Sequence, residues 1–391
     1  MSSLIPSGWA LSKINDTCDV FDSQRIPLNT QERALRKGHY PYYGANGVQG
    51  FIDDFIFDGE YVLLAEDGGY FEEFSSRPIS YLVSGKFWVN NHAHILQAKK
   101  GHETKYIHYS LVHKNILKHI NGGTRSKLNQ SDMRDIEYLA PPLTEQQKIA
   151  TILSSVDDVI EKTRTQIDKL KDLKTGMMQE LLTKGIGHTE FKDSPVGLIP
   201  AKWDVKFLPD ISENHDSKRV PIKSVDRANM KGGYRYYGAS GIIDYVNDYI
   251  YDGTYILLGE DGENVLSRNL PLAFIVKGKF WVNNHAHVLK ANPDTDINFL
   301  CEYLESIDYA NIASGSAQPK ITQTSLNSIQ VPVPPLAEQK VIAAMLKSVD
   351  EKIQLTDKKL NQLRLSKKAL MQDLLTGKVR VKLTDKESAA V

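Results

Sequence analysis

Gly85 to Leu96 reads GKFWVNNHAHIL, and Gly278 to Leu289 reads GKFWVNNHAHVL. A match of this length inside one chain marks a duplicated folding unit, so the fold is built twice. Ile5 to Trp9 (IPSGW) likewise returns as Ile199 to Trp203 (IPAKW), and Tyr42 to Gly47 (YYGANG) returns as Tyr236 to Gly241 (YYGASG). Asp58 to Gly68 (DGEYVLLAEDG) returns as Asp252 to Gly262 (DGTYILLGEDG). These pairs lie 194 positions apart, whereas Gly85 and Gly278 lie 193 apart. One deletion between the blocks accounts for the slip, and the spacing of 193 also relates Lys127 to Lys320 and Pro141-Pro142 to Pro334-Pro335. A period near half of the 391 residues means a tandem duplication of one large unit, not a solenoid of short repeats.

Composition narrows the class. Apolar residues make up 41% and charged residues 25%, as expected of a globular, soluble chain. The polar start Met1 to Trp9 lacks the apolar core of a signal peptide, and no run is long enough to span a membrane, so a cytoplasmic protein is expected. Cys18 and Cys301 stand alone, without metal-ligand spacing, and are expected to be reduced and structural. Lys plus Arg equal Asp plus Glu at 48 each, so a nucleic-acid partner has to be argued from local patches.

Each copy has a strand-rich part and a helical part. Asp58-Gly59 and Asp252-Gly253, flanked by β-formers, predict tight hairpin turns. Thr144 and Gln147, after Pro141-Pro142, predict a capping box. From there Ile149, Ile152, Val156, Val159, Thr163, Ile167, Leu170, Leu173, Met177 and Leu181 recur at steps of three or four. Ile342, Met345, Val349, Ile353, Thr356, Leu360, Leu363, Leu370 and Leu374 repeat the stripe, and the two runs end near Gly185 and Gly377. Such long narrow stripes predict two helices paired as an antiparallel coiled coil; pairing between molecules would leave the same pattern. The fold class expected is α+β, two pseudo-symmetric globular heads separated by two long helices.

Three groups of residues carry candidate chemistry. Read as one strand, Phe87 to Leu96 places Trp88, Asn90, His92 and His94 on one face. Asn90 and its twin Asn283 offer amides for an adenine edge. His92 and His94 with Glu66 or Asp67, and His285 with His287 in the second copy, offer a metal-dependent hydrolase site, or else simply hydrogen-bond a buried turn. Tyr42, Tyr43 and Asn46, matched by Tyr236, Tyr237 and Ser240, surround a glycine turn and suit either nucleic-acid contact or a core. The third group is electrostatic. Gln97 to Arg134 holds eight Lys or Arg against two acids, an excess of six, while Lys290 to Asn327 holds two against five, a deficit of three. Within these stretches Gly122 to Lys127 (GGTRSK) and Gly315 to Lys320 (GSAQPK) are matching basic loops, which adds Arg125, Lys127, Gln318 and Lys320 to the candidate DNA contacts. No P-loop, dinucleotide fingerprint, serine elbow, HExxH zinc motif or base-methylation motif is present in the sequence, so no catalytic residue is assigned.

Pro142-Leu143-Thr144-Glu145-Gln146 and Pro335-Leu336-Ala337-Glu338-Gln339 open the two helices; Met178 to Gly185 (MQELLTKG) and Met371 to Val381 (MQDLLTGKVRV) close them. With the IPSGW and IPAKW segments and the duplicated head, the whole chain resembles the specificity subunit of type I restriction-modification systems. The resemblance implies two target recognition domains, each reading half of a split double-stranded DNA site, and helices that set the spacing and dock two methyltransferase subunits. It also implies S-adenosylmethionine in the methyltransferase partner, ATP and magnesium in a motor-nuclease partner, and no cofactor in this chain. The expected boundaries are residues 1–142 and 187–335 for the recognition domains, 143–186 and 336–379 for the helices, and 380–391 for a tail. A duplicated metal-dependent hydrolase and a coiled-coil adaptor without DNA preference are the alternatives from other classes.

Overall fold

The computed structural model describes residues 5–122, 126–315 and 318–383. The chain forms two compact units, Met1–Thr163 with Lys359–Val391, and Arg164–Lys358.

In the first unit six strands form one sheet: β1 (Cys18–Val20), β2 (Lys37–Gly44), β3 (Gly47–Ile52), β4 (Phe57–Ala65), β5 (Ser80–Val89) and β6 (Ala93–Ala98), in the spatial order β1-β6-β4-β5-β2-β3. Only β2 and β5 run parallel, with Tyr42 opposite Trp88 and Tyr43 opposite Val89. Alternation along β4 separates two faces. Val62 and Leu64 enter a large core with helix α1 (Thr104–Leu111), while Phe57 and Leu63 join a smaller cluster with Phe87, Val89 and Ile95. The second unit repeats the sheet as β7 (Ser212–Asn214), β8 (Lys231–Gly238), β9 (Gly241–Val246), β10 (Tyr251–Gly259), β11 (Ala273–Val282) and β12 (Ala286–Ala291), in the order β7-β12-β10-β11-β8-β9. In each unit a short two-stranded ladder ties the start of the head to its end, Ala10–Lys13 with Glu137–Ala140 and Asp204–Phe207 with Gln330–Val333.

Two turn predictions change. Asp58-Gly59 is not a turn: it lies inside β4, where Gly59 (φ 141°) faces Gly85 (φ 81°) across the ladder with β5. Paired glycines free of Cβ clash let both strands twist there without breaking the register. Gly253 and Gly278 do the same in the second unit. The hairpin turn is instead Ala45-Asn46 between Gly44 and Gly47, and Ala239-Ser240 between Gly238 and Gly241. Likewise Phe87 to Leu96 is not one strand but two, broken where Asn90 Oδ1 accepts the His92 N–H at 2.8 Å.

Besides α1, the second unit holds helix α3 (Ile297–Ser306), and the two long helices are α2 (Leu143–Leu181) and α4 (Leu336–Leu375). The beginning of α2 packs on the end of α4 in the first unit, where Ile149 and Leu153 share a core with Leu374. The end of α2 packs on the beginning of α4 in the second, where Leu181 and Leu182 meet Ile342 and Leu346. Start against end in both units is antiparallel pairing. The stripe is not buried throughout: Val159, Leu173 and Met345 are exposed. Nor does the capping box form, since the Thr144 hydroxyl is buried without a hydrogen-bond partner. The matching residue in α4 is Ala337, so the helix start does not depend on a hydroxyl.

The helix-opening motifs instead fasten each head to its helix. Glu145, 4% exposed, accepts from Trp9 Nε1 at 3.1 Å and from both Arg380 Nε and Nη2 at 2.7 Å. Glu338 accepts from Trp203 Nε1 at 3.1 Å, His188 Nε2 at 2.7 Å and the Ile186 N–H at 3.0 Å. The following glutamines bridge backbones: Gln146 joins the Glu103 N–H to the Pro141 carbonyl, and Gln339 joins the Asp296 N–H to the Pro334 carbonyl. Gly185 (φ 66°) closes α2 against Trp203, where a Cβ would come within 2.5 Å of the indole.

Candidate nucleic-acid interface

Four segments converge at one end of each sheet. In the first unit Asn46 Nδ2, on the hairpin turn, donates to the Gly68 carbonyl at 2.9 Å. The Glu66 N–H donates to the His92 carbonyl at 2.9 Å, and His92 Nδ1 bonds Asp67. Asp67 bridges Lys127, whose N–H and carbonyl exchange bonds of 2.7 Å with Asn121 and close the basic loop.

A buried ion network holds this end together. His94, 1% exposed, points Nδ1 at Asp22 Oδ2 (2.6 Å) and Nε2 at the Leu128 carbonyl (2.9 Å). Both ring nitrogens are therefore taken up by hydrogen bonds. Burial pushes the Asp22 carboxyl up, but hydrogen bonds from His94, Gln130 and the Ile95 N–H outweigh it and hold the group below its ordinary value. Arg25 Nη1 donates to Glu66 Oε2 at 2.5 Å and to the Ala93 carbonyl at 2.9 Å. Lys127 Nζ meets the other Glu66 oxygen at 3.2 Å. The second unit repeats the histidine, arginine and lysine contacts: His287 between Asp216 (2.6 Å) and the Ile321 carbonyl (2.8 Å), Arg219 on Glu260 at 2.5 Å, and Lys320 on Glu260 at 3.0 Å.

This geometry corrects the metal reading. Asp22, Glu66 and His94 cluster closely enough to suggest three ligands, as do Asp216, Glu260 and His287. Yet neither imidazole nitrogen has a free lone pair in this arrangement, and Arg25 and Lys127 already neutralise Glu66. His92 and His285 are turned to Asp67 and Asp261 instead of joining the cluster. The cluster is an ion network that fixes both ends of a loop.

The candidate contacts divide into two sets. Tyr42 and Tyr236 are each 1% exposed, with their hydroxyls tied to the backbone of Leu28 and Ile222, so their rings are core and not a stacking surface. Tyr237 is buried edge-on to Phe280, and the half-buried Tyr43 packs the same way on Phe87. Asn90 and Asn283 are buried, their carbonyl oxygens committed to the His92 and His285 N–H groups, which removes the bidentate amide a base edge requires. Asn46, Lys127, Ser240, Gln318 and Lys320 are exposed at the convergent end. Arg125 lies outside the described residues. Sequence reading missed the acid and arginine of the network, although the signal was there: Asp22-Ser-Gln-Arg25 returns as Asp216-Ser-Lys-Arg219 at spacing 194.

Taken together, duplicated heads with Lys127 and Lys320 held in matching networks and long paired helices define a recognition scaffold with no catalytic constellation among the described residues. Comparison with known proteins makes this specific. Residues 6–172 and 200–365 each match the type I restriction modification DNA specificity domain. A putative type I restriction enzyme specificity subunit, MjaX, from Methanocaldococcus jannaschii is 33% identical over 307 residues, covering 72% of this chain and 69% of that one. The MjaVIII specificity subunit of the same organism is 27% identical over 97% of this chain and 94% of its own. Among solved structures, the type I restriction-modification S subunit from M. genitalium superposes with a TM-score of 0.66 at 17% identity, covering 96% of this chain and 97% of that one. The chain belongs to the type I restriction-modification specificity family, with two target recognition domains, and is not itself the catalyst of the system. No helix among the described residues is long and apolar enough to cross a membrane.

Proposed function

We propose that each head, residues 1–142 and 187–335, reads one half of a bipartite duplex DNA target, and that the helices within 143–186 and 336–379 hold the half-sites at fixed separation. The observation that carries this reading is the repetition of the histidine, arginine and lysine contacts of the loop-fixing network in both heads, from Asp22 and Arg25 to Lys127 and from Asp216 and Arg219 to Lys320. A sequence reader needs its contact loops preorganised, because each loop ordered on binding weakens affinity. Helices of 39 and 40 residues, about 60 Å long, are stiff enough to act as a ruler, which a flexible linker is not.

The DNA-facing set is Asn46, Arg125 and Lys127 in the first head and Ser240, Gln318 and Lys320 in the second. Exposed apolar residues along the long helices, Val159, Leu173, Met345, Leu355 and Leu365, suit docking of two methyltransferase subunits, one on each helix-and-head set. S-adenosylmethionine belongs to those partners, ATP and magnesium to a motor-nuclease partner, and the assembly is cytoplasmic. The related heads predict related, unequal half-sites in inverted orientation, with centres about one helical turn, roughly 10 base pairs, apart. Reconstitution with the methyltransferase subunit and mapping of methylated positions tests all of this. A continuous target, or a gap that varies freely, refutes the ruler.

A further inference from the structure

A cavity of about 680 Å³ opens in the first unit between the head and its segments of α2 and α4. Its lining includes Lys114, Arg364, Lys367 and Lys368, against a single acid, Asp157. That acid is already engaged, by Lys367 at 2.5 Å and the Tyr109 hydroxyl at 2.8 Å. Among the described residues no ion pair neutralises Lys114, Arg364 or Lys368, and the Ser110 hydroxyl in the same wall is buried without a partner. Tyr109, Ile160, Met371 and Leu375 supply apolar surface. Uncompensated cations and an orphan hydroxyl beside apolar walls are complementary to an anion with an apolar body. The volume lies inside the range of small-molecule sites, about 300–1,000 Å³.

We propose that this cavity binds a nucleotide-sized phosphate ester, its phosphate held by Lys114, Arg364 and Lys368 and its flat body packed on Tyr109, Ile160 and Met371. The second unit is an internal control. The matching positions there carry Ile307 for Lys114, Thr175 for Lys368, Glu302 for Tyr109 and Tyr303 for Ser110, so two of the three cations and the space are lost, while Lys171 keeps the charge of Arg364. Burial also pushes the Lys114 ammonium below its ordinary value, with Lys118 repelling it, so an anion placed beside it regains the protonated form.

The test is calorimetric titration of the full chain with adenosine monophosphate, and separately with inorganic phosphate. One saturable site per chain is expected for the nucleotide, with inorganic phosphate at least about tenfold weaker because it lacks the body. Lys368→Thr, the residue of the second unit at an exposed position, and Lys114→Met each weaken nucleotide binding by about tenfold or more. Ser110→Tyr abolishes it by filling the cavity, and Lys171→Ala in the second unit leaves it unchanged. Unchanged thermal melts show that the variants fold. Absence of saturable nucleotide binding, equal affinity for inorganic phosphate, or indifference to Lys368→Thr overturns the proposal. So does stoichiometric displacement of the nucleotide by duplex DNA, which would assign these cations to a DNA path.

Discussion

In the first unit Lys367 meets Asp157 at 2.5 Å and lies over the Tyr109 ring, whereas in the second Lys174 lies between Asp350 at 2.7 Å and Glu302 at 3.1 Å. The lysine and the aspartate are the same positions of the repeat; the third partner is a phenol in one and a carboxylate in the other. At the residue just before that phenol or carboxylate the contrast continues, with half-buried His108 of α1 replaced by buried Cys301 of α3. By contrast, the histidine-centred networks and the Trp–Glu anchors are superimposable in chemistry. Duplication has kept the groups that fix each loop and each helix start, while the face of α1 and α3 turned toward the long helices has diverged. A buried ion network tolerates little change, because removing one member strands the rest. A packing face tolerates much more, provided volume and charge are balanced locally.

The largest effect is expected where the units agree. His94→Ala and His287→Ala each take one charged donor from Asp22 or Asp216 and leave the Leu128 or Ile321 carbonyl without its donor, which costs about 3–5 kcal/mol. Equal losses from the two variants in urea unfolding are expected; a loss under 1 kcal/mol in either would break the claim that the networks are equivalent.

Where the units differ, pH separates them. Burial, with Lys367 adding repulsion, drives His108 down to about 3 from an ordinary value of 6.5. Its folded value is depressed, so the unfolded chain takes the proton first. Stability is therefore full above pH 6.5 and is lost as pH falls toward 3, by about 1.4 kcal/mol per unit. Burial raises Glu302 above 4.5, only partly offset by Lys174, so the second unit loses stability as pH rises from 4.5 through the raised value. Unfolding midpoints measured from pH 4 to 7 check both signs. His108→Cys flattens the acid loss, Glu302→Gln flattens the opposite one, and a shared slope in the two variants would contradict the contrast.

Smallest in energy is the pair Lys127→Ala and Lys320→Ala. Both ammonium groups are half exposed, on the partly buried Glu66 and the buried Glu260, so stability changes by less than about 1 kcal/mol. In the assembled complex each substitution is expected to reduce the salt dependence of DNA binding by about one unit while leaving the methylated sequence unchanged. A changed target would move these lysines to base readout.

The duplication, the two long helices and the family are legible from residue order alone, because each is written in short-range signals: repeated words, a three-to-four stripe, and motifs in fixed order. So is the equivalence of Lys127 and Lys320. Which polar residues are interior depends on packing between distant segments. Asp58-Gly59 carries the local signature of a turn but lies within a strand, since its partner Gly85, far along the chain, supplies the matching freedom from Cβ clash. Tyr42 and Asn90 have the right chemistry for DNA yet are consumed by Leu28 and His92. The roles of His94 and Glu66 depended on Asp22 and Arg25 from one distant segment and Leu128 from another. Local pattern reports what a residue is able to bond; burial and long-range neighbours settle which bond it makes.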